Sequence, residues 1–311
     1  MRRLIVGAGA VGTALAELLL ERGETVRVAS TSGRTVTGTE SLRLDASDAT
    51  ALTAAAAGCR TIFLLVNPPY TTWPETLPPI VDAAIEAARR TGADLVMGGN
   101  LYAYGPVDGA MTEQSPLAST EAKGMLRAEL WRRAQAATLR GDVRAVEVRS
   151  SDYYGPTAGA NSHLGTKFFG PIVASETARV TGDPLMPHSW SYIPDFAATL
   201  AAAADDDRSW GRAWHVPSGE PRTMRDIAAE ASLVAGSTGD VERVSPTLVA
   251  LAKLVSPFLR EVEAVRYEFE RPYVLDASET EGAPQLRPTP WREALDATVE
   301  ASLRARRGAL R

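Results

Sequence analysis

Apolar residues in the first third of the chain alternate between short continuous runs and stretches at helical spacing. Leu4-Ile5-Val6 is a run suited to a buried parallel strand. Beyond a glycine-rich turn, Ala14, Leu15, Leu18 and Leu19 recur at helical spacing up to Gly23, a stop signal. Residues 25–29, 42–45, 61–66 (TIFLLV) and 94–97 read as further strands. Residues 48–58 and 80–90 read as helices. This alternation predicts an α/β fold, a doubly wound parallel sheet. Ligands of such sheets sit at the carboxyl ends of the strands. The candidates are therefore 7–12, 30–34, Asp45, 66–73 and 98–104.

Composition narrows the class. The 311 residues are 45% hydrophobic and 23% charged, which excludes a disordered chain. A net charge of −5 gives no electrostatic bias toward nucleic acid or an anionic membrane. The single cysteine, Cys59, excludes a disulfide framework and a cysteine-rich zinc site. Three histidines (163, 188, 215) without an HExxH pattern give no expectation of a metal. Arg2-Arg3 followed by an apolar stretch ending in Ala14-Leu15-Ala16 imitates a secretory leader. The glycine-turn reading accounts for more of the same residues. No apolar run reaches a membrane-spanning length, and the expected location is the cytoplasm.

Gly7-Ala8-Gly9-Ala10-Val11-Gly12 has GxGxxG spacing between a strand and a helix, the context in which that pattern binds a dinucleotide. Gly7 allows the tight turn, Gly9 lets the backbone approach a pyrophosphate, and Gly12 packs the helix on the strand. The main chain of Ala10 and Val11 opens the helix and presents N–H groups to the anion. The competing reading is a glycine turn without a ligand. An NAD site usually carries an acid at the end of the second strand. Here the sequence is Ser30-Thr31-Ser32-Gly33-Arg34. Hydroxyls and a guanidinium suit a 2′-phosphate, so NADP(H) is expected over NAD(H), with Arg34, Ser32 and Ser30 in contact. A solvated turn with a chance arginine is the alternative. Asp45 and Ala46 are expected to flank the adenine.

Several later segments carry a resemblance. Residues 98–106 (GGNLYAYGP), 149–156 (RSSDYYGP), 191–197 (SYIPDFA), 214–216 with 223–227, and 286–295 (LRPTPWREAL) follow one another along the chain. In that order they resemble the extended short-chain dehydrogenases/reductases, the NAD(P)-dependent epimerase/dehydratase-like family. The resemblance implies a Rossmann-type domain over 1–155 and 191–217. It also implies a smaller substrate-binding region over 156–190 and 218–311. The family's catalytic set is a Ser or Thr after the fifth strand and a Tyr-x-x-x-Lys pair. The lysine corresponds to Lys123, Ser119 stands where the tyrosine should be, and Asn100 fills the Ser/Thr position. No Tyr-x-x-x-Lys occurs in the chain.

A tyrosine would give its proton to the substrate oxygen while the lysine lowers its pKa. Ser119 is a weaker acid with shorter reach, whereas the Asn100 amide still donates. If 119 and 123 share a helix face at i, i+4, Ser119 and Lys123 share the site. Another tyrosine could take over: Tyr102, Tyr104 or Tyr70. A water beside Lys123, or no hydride chemistry at all, are the other possibilities. By resemblance, Val66 and Asn67 pass along the cofactor, Lys123 holds its nicotinamide ribose, and Tyr154 lies near the nicotinamide. Tyr70 and Trp73 are candidates for the substrate mouth, with Tyr104, Asn161 and His163 as further substrate contacts. His188 and Trp190 are weaker ones. Asp205–Asp207 reads as a solvated loop and 304–311 as a frayed basic tail.

The expected function is an NADP(H)-dependent oxidoreductase acting on a small organic carbonyl or alcohol, as a possible homodimer. The alternatives are a non-redox epimerase, isomerase or lyase in the same cleft, and a catalytically degraded NADP-binding regulator.

Overall fold

The computed structural model describes residues 1–282 and 286–309, apart from the side chains of 250–252, 254, 255, 257–259, 262 and 309. Seven strands form the central sheet: β1 (Arg2–Val6), β2 (Thr25–Ser30), β3 (Glu40–Arg43), β4 (Thr61–Leu64), β5 (Asp94–Asn100), β6 (Ala145–Ser150) and β7 (Ala213–His215). Their order is β7-β6-β5-β4-β1-β2-β3, with every pair parallel. The chain winds outward from β1 in both directions. That leaves a crevice at the carboxyl ends of β1 and β4, where a doubly wound sheet binds its ligand.

Eleven helices are assigned among the described residues: α1 (Ala10–Glu21), α2 (Ala49–Ala56), α3 (Trp73–Thr91), α4 (Ala122–Leu139), α5 (Thr166–Val173), α6 (Ile193–Ala203), α7 (Met224–Ala235), α8 (Pro246–Val255), α9 (Pro257–Ala264), α10 (Ser278–Glu281) and α11 (Trp291–Ala309). The period-two pleat sends Leu4 and Val6 of β1 toward α2, α3 and α4, and Ile5 toward α1 and α6. Both faces are covered, so β4 and β6 are buried at every position and read as continuous apolar runs or as buried ion pairs. A separate core joins α5, α7 and α11 around Phe168, Ile172, Ile227 and Leu295.

Four expectations are corrected. α3 begins at Trp73, seven residues before the predicted start, despite Pro74, Pro78 and Pro79. Pro74 lies in the first turn, where its missing N–H has no intrahelical acceptor. Pro78 and Pro79 forfeit two ladder bonds, offset by burial of Trp73 and Leu77. β3 ends at Arg43, so Leu44 and Asp45 lie beyond it. The acid run is not merely solvated. Asp205 and Glu24 hold the buried Arg3, 2.8 and 2.6 Å away, while Arg3 Nη1 donates to Thr61 Oγ1. The basic tail continues α11, and Arg306 Nη1 donates to the Val173 carbonyl at 2.8 Å; residues 310 and 311 lie outside the described residues.

Candidate active site

The glycine turn has the geometry its spacing implies. Gly7 has φ +121°, and a Cβ there would stand 2.6 Å from the Leu65 carbonyl oxygen. Its N–H donates to Ala29 of β2. A Cβ at Gly12 would overlap the Gly7 carbonyl oxygen, so the start of α1 closes directly on β1. Gly9 is the N-cap, and the space its Cβ would enter is open. No acid stands in the first turn. The first N–H groups of α1, at Ala10, Val11 and Gly12, receive no side-chain cap from Gly9, and the helix dipole stands behind them. These features fit a dinucleotide pyrophosphate.

Ser30, Ser32 and Arg34 come together beside that turn. The Arg34 N–H is shared by Ser30 Oγ at 3.2 Å and Ser32 Oγ at 3.3 Å, and Arg34 Nη1 donates to the Ala8 carbonyl at 3.3 Å. Arg34 is exposed. Sequence reasoning missed Arg43. With β3 paired so that Arg43 stands opposite Ser30, its Nε donates to the Thr31 carbonyl at 3.1 Å, bringing a second guanidinium to the same strand end. An expected strand end at Asp45, two residues too late, placed Arg43 inside the strand. Asp45 is exposed, and hydrogen bonds from the N–H and hydroxyl of Ser47 hold its carboxyl below the usual range. Ala46 is 5% exposed and packs in the core, so only its main chain is available to a ligand. Val66 also packs partly on the core, while Asn67 is exposed just beyond β4.

The catalytic end departs further from expectation. Lys123 is 4% exposed, with Nζ 2.7 Å from Glu261 of α9 and 3.3 Å from Glu121. Glu121 is also the N-cap of α4, accepting the N–H groups of Lys123 and Gly124. Ser119 therefore precedes the helix and shares no helix face with Lys123. Its hydroxyl accepts the Glu121 N–H at 3.3 Å, and its side chain fills the space beside Gly105 and Gly124. Asn100 ends β5; its Oδ1 accepts the Tyr102 N–H, leaving the Nδ2 donor without a hydrogen bond among the described residues.

The aromatic candidates separate. Tyr70 is half-buried with its ring centroid 5.7 Å from Lys123 Nζ, and its hydroxyl lies 2.7 Å from that of Tyr102. Burial raises the pKa of both phenols. Tyr102 is 6% exposed and reaches outward only through Tyr70. Trp73 does not line a mouth: it is 1% exposed, its Nε1 donates to the Pro68 carbonyl, and Arg127 stacks 4.3 Å from its ring. Tyr154 is likewise core, packed between Tyr192 and Trp291.

Tyr104 is buried at 1% exposure and belongs to a polar network, not a substrate surface. Arg149 Nη1 donates to its hydroxyl at 2.7 Å, and its hydroxyl lies 2.6 Å from His215 Nε2. His215 Nδ1 faces the Asp276 carbonyl at 2.7 Å and must donate, so Nε2 accepts from Tyr104 and the ring is neutral. Burial pushes the His215 pKa down to about 4. An unfolded histidine titrates near 6.5. Between those values the unfolded chain binds a proton that the folded chain refuses, so stability falls as pH drops from about 6.5 to about 4, by roughly 3 kcal/mol in all. Chemical denaturation of the wild type and His215→Asn across that range is expected to show a steeper loss in the wild type; equal slopes would contradict it.

Asn161 is exposed in the loop before α5. His163 lies 4.3 Å from Phe269, and burial lowers its pKa. His163, Tyr70, Phe269, Val265 and Val249 line a pocket that is partly open to solvent. Beside it sequence reasoning missed a set of buried titratable groups: Asp152, Glu268, Tyr267 and Tyr273. His188, a weak substrate candidate from sequence, is 2% exposed and joins them instead: its Nε2 is 3.0 Å from Asp152 Oδ2 and its Nδ1 is 3.2 Å from the Glu268 carbonyl. Both nitrogens thus face acceptors. Burial pushes the Asp152 carboxyl up, but the hydrogen bond and charge of His188 with the charge of His163 outweigh it, and the net shift is downward. No sequence motif marks this set, because its members come from three distant segments.

No helix among the described residues is long and apolar enough to cross a membrane, and no group of three or more metal-ligating side chains occurs among them. No curated protein sequence matches the chain. Solved structures similar in fold include a dTDP-glucose 4,6-dehydratase from Streptomyces venezuelae with NAD bound, at 20% identity and TM-score 0.79 over 99% of this chain and 98% of that one. Another is the Bacillus anthracis dTDP-glucose 4,6-dehydratase in complex with NAD, at 15% identity and TM-score 0.81 over 98% and 97%. The Thermus thermophilus UDP-glucose 4-epimerase with NAD aligns at 20% identity and TM-score 0.76 over 97% and 99%. The NAD dependent epimerase/dehydratase family profile matches residues 3–216. The sheet order, the glycine turn and this match agree: the chain belongs to the NAD dependent epimerase/dehydratase family.

Proposed function

We propose that the protein is an NADP(H)-dependent oxidoreductase interconverting a small, uncharged organic carbonyl compound and its alcohol. The observation that carries this reading is the cluster of Ser30, Ser32 and Arg34 beside the glycine turn, with no acid among residues 30–34. A carboxylate there would repel a 2′-phosphate; the guanidinium forms charge-assisted bonds with one. Arg43 adds positive charge at the same edge.

The residues fit the cofactor along its length. The N-terminus of α1 would hold the pyrophosphate, Arg34 and the two serines the 2′-phosphate, and Asp45 with the Ala46 main chain the adenine. Val66 and Asn67 run alongside, and Lys123 stands at the nicotinamide end. Bound NADPH supplies the hydride. Asn100 Nδ2 donates to the substrate oxygen as negative charge develops there. Tyr70, His163 and Phe269 give the pocket an aromatic lining. Its two arginines, Arg243 and Arg266, are already paired with Glu270 and Glu263. That neutralisation favours an uncharged substrate over a nucleotide diphosphate.

With benzaldehyde and cyclohexanone as probes, kcat/KM for NADPH is expected to exceed that for NADH by at least about tenfold, the value of one retained charge-assisted bond. Equal values would overturn the cofactor preference. A second reading, an epimerase or lyase without net redox, is favoured by the buried acid–base pair Asp152–His188. It would show as isomerisation of a sugar nucleotide with no NADPH consumed.

A further inference from the structure

We propose that Tyr70 is the proton donor and acceptor of this active site, in the role that Ser119 cannot fill. The proposal rests on the oxidoreductase reading above. Of the eight tyrosines, Tyr70 alone lines the pocket that also holds His163 and Phe269. It lies in the loop that leaves the carboxyl end of β4, and it opens the 3₁₀ turn Tyr70–Thr72. Val66 and Asn67, proposed above to flank the cofactor, belong to the same loop. Tyr70 therefore stands where the crevice at the strand ends opens into the pocket.

Its position is held from several sides. Pro68 and Pro69 stiffen the approach to the turn. Trp73 Nε1 donates to the Pro68 carbonyl at 2.9 Å, and the Thr72 N–H donates to the Pro69 carbonyl at 2.9 Å. The buried indole of Trp73 meets the Tyr70 ring edge-on, with the centroids 4.9 Å apart. A reacting group fixed in this way needs little ordering when substrate arrives.

The bonding of the hydroxyl decides where its proton goes. Tyr102 is 6% exposed, and its hydroxyl has Tyr70 Oη, 2.7 Å away, as its one hydrogen-bond partner among the described residues. A buried O–H without an acceptor is costly, so Tyr102 donates and Tyr70 accepts. A phenol that accepts one hydrogen bond still has its own proton to donate. That proton is left for a ligand in the pocket. The Tyr102 N–H meanwhile donates to Asn100 Oδ1 at 3.2 Å, so one residue orients both the Asn100 amide and the Tyr70 hydroxyl.

The other hydroxyls are committed elsewhere or enclosed. The Ser119 hydroxyl accepts the Glu121 N–H. Tyr104 serves His215 and Arg149. Tyr154 is packed between Tyr192 and Trp291.

In the reduction, the carbonyl carbon takes the hydride that NADPH supplies, and the carbonyl oxygen takes the Tyr70 proton. The carbon–oxygen π pair becomes the new O–H bond of the alcohol. Tyr70 is left as a phenolate that accepts the Tyr102 hydrogen bond, with the Lys123 ammonium 5.7 Å from its ring centroid. Water entering from the open side of the pocket returns the proton. In the reverse direction the phenolate takes the proton of the alcohol.

The test is ¹³C NMR of the full chain labelled at the tyrosine ζ carbon, with Tyr70→Phe identifying the resonance. The expected result, with no cofactor present, is a Tyr70 resonance that moves when benzyl alcohol is added. With NADPH and benzaldehyde, Tyr70→Phe is expected to lower kcat by at least about 100-fold, the lower range for a general acid. Its NADPH Kd should stay within about twofold of wild type, since general-acid loss acts on kcat. Tyr102→Phe, a change at a positioning residue, is expected to lower kcat by about tenfold with KM for benzaldehyde unchanged, as loss of one hydrogen bond to the developing phenolate implies. A Tyr70 resonance indifferent to benzyl alcohol, an unchanged kcat in either tyrosine variant, or a loss found in His163→Gln in place of Tyr70→Phe would each overturn the proposal. A wild type that oxidises NADPH with neither benzaldehyde nor cyclohexanone overturns the oxidoreductase reading itself; the benzyl alcohol titration needs no cofactor and is decided separately.

Discussion

Gly12→Ala is expected to weaken dinucleotide binding by about 100-fold and to lower folding stability by roughly 1–3 kcal/mol. A Cβ at this position meets main chain, the Gly7 carbonyl oxygen, with the Ile5 side chain behind it. Gly7 cannot retreat, because it already lies against the Leu65 carbonyl at φ +121°. The start of α1 must then move away from β1 and carry its N–H groups with it. Gly9→Ala is the informative companion. Its Cβ points into open space, so stability should change little, while binding still falls if, as proposed, that space takes the pyrophosphate. Calorimetric titration with thermal unfolding separates the two. Equal stability loss in both variants would contradict the division of roles.

Arg149→Met is expected to destabilise the fold by about 3–5 kcal/mol, the cost of leaving a buried charge unpaired. Arg149 Nε lies 2.6 Å from Glu147 Oε2, with both side chains buried within β6. The Glu147 carboxylate is packed so closely on Gly99 of β5 that a Cβ there would stand 2.7 Å from its Oε1. Loss of the guanidinium also deprives Tyr104 of its donor and frees the Tyr104–His215 contact from its anchor. The double variant Glu147→Gln/Arg149→Met should recover part of the loss, since the surviving amide is neutral. Urea unfolding with an unchanged m-value checks this; a single-variant loss below about 1 kcal/mol would mean the carboxylate finds another partner or takes a proton.

The parallel sheet was legible because both its faces are covered. Burial on two sides produces runs such as TIFL, and the glycine spacing follows from steric contacts that only glycine permits. The Ser30–Arg34 cluster was legible for a related reason, being local in sequence. What escaped was set by long-range packing. Trp73 looked like a binding aromatic until α3 extended through its prolines and buried it. Ser119 looked like a neighbour of Lys123 until Glu121 took the N-cap and ended the helix between them. Tyr104 gave no sign of the histidine 111 positions away that holds it. Asp152 and the Glu268 carbonyl are joined through His188, which bridges segments far apart in the chain. Arg43 turned on a strand end placed two residues too late, and element boundaries are the least certain quantity in a sequence reading.

The most direct test of the central claim is a titration of the wild type and Arg34→Ala with NADPH and NADH, followed by cofactor fluorescence. The account predicts that wild type prefers NADPH by at least about tenfold. It also predicts that Arg34→Ala loses about 10- to 100-fold of NADPH affinity, as one charge-assisted contact implies, and binds NADH as wild type does. A wild type that binds NADH as tightly as NADPH, or an Arg34→Ala variant that weakens both equally, would contradict it.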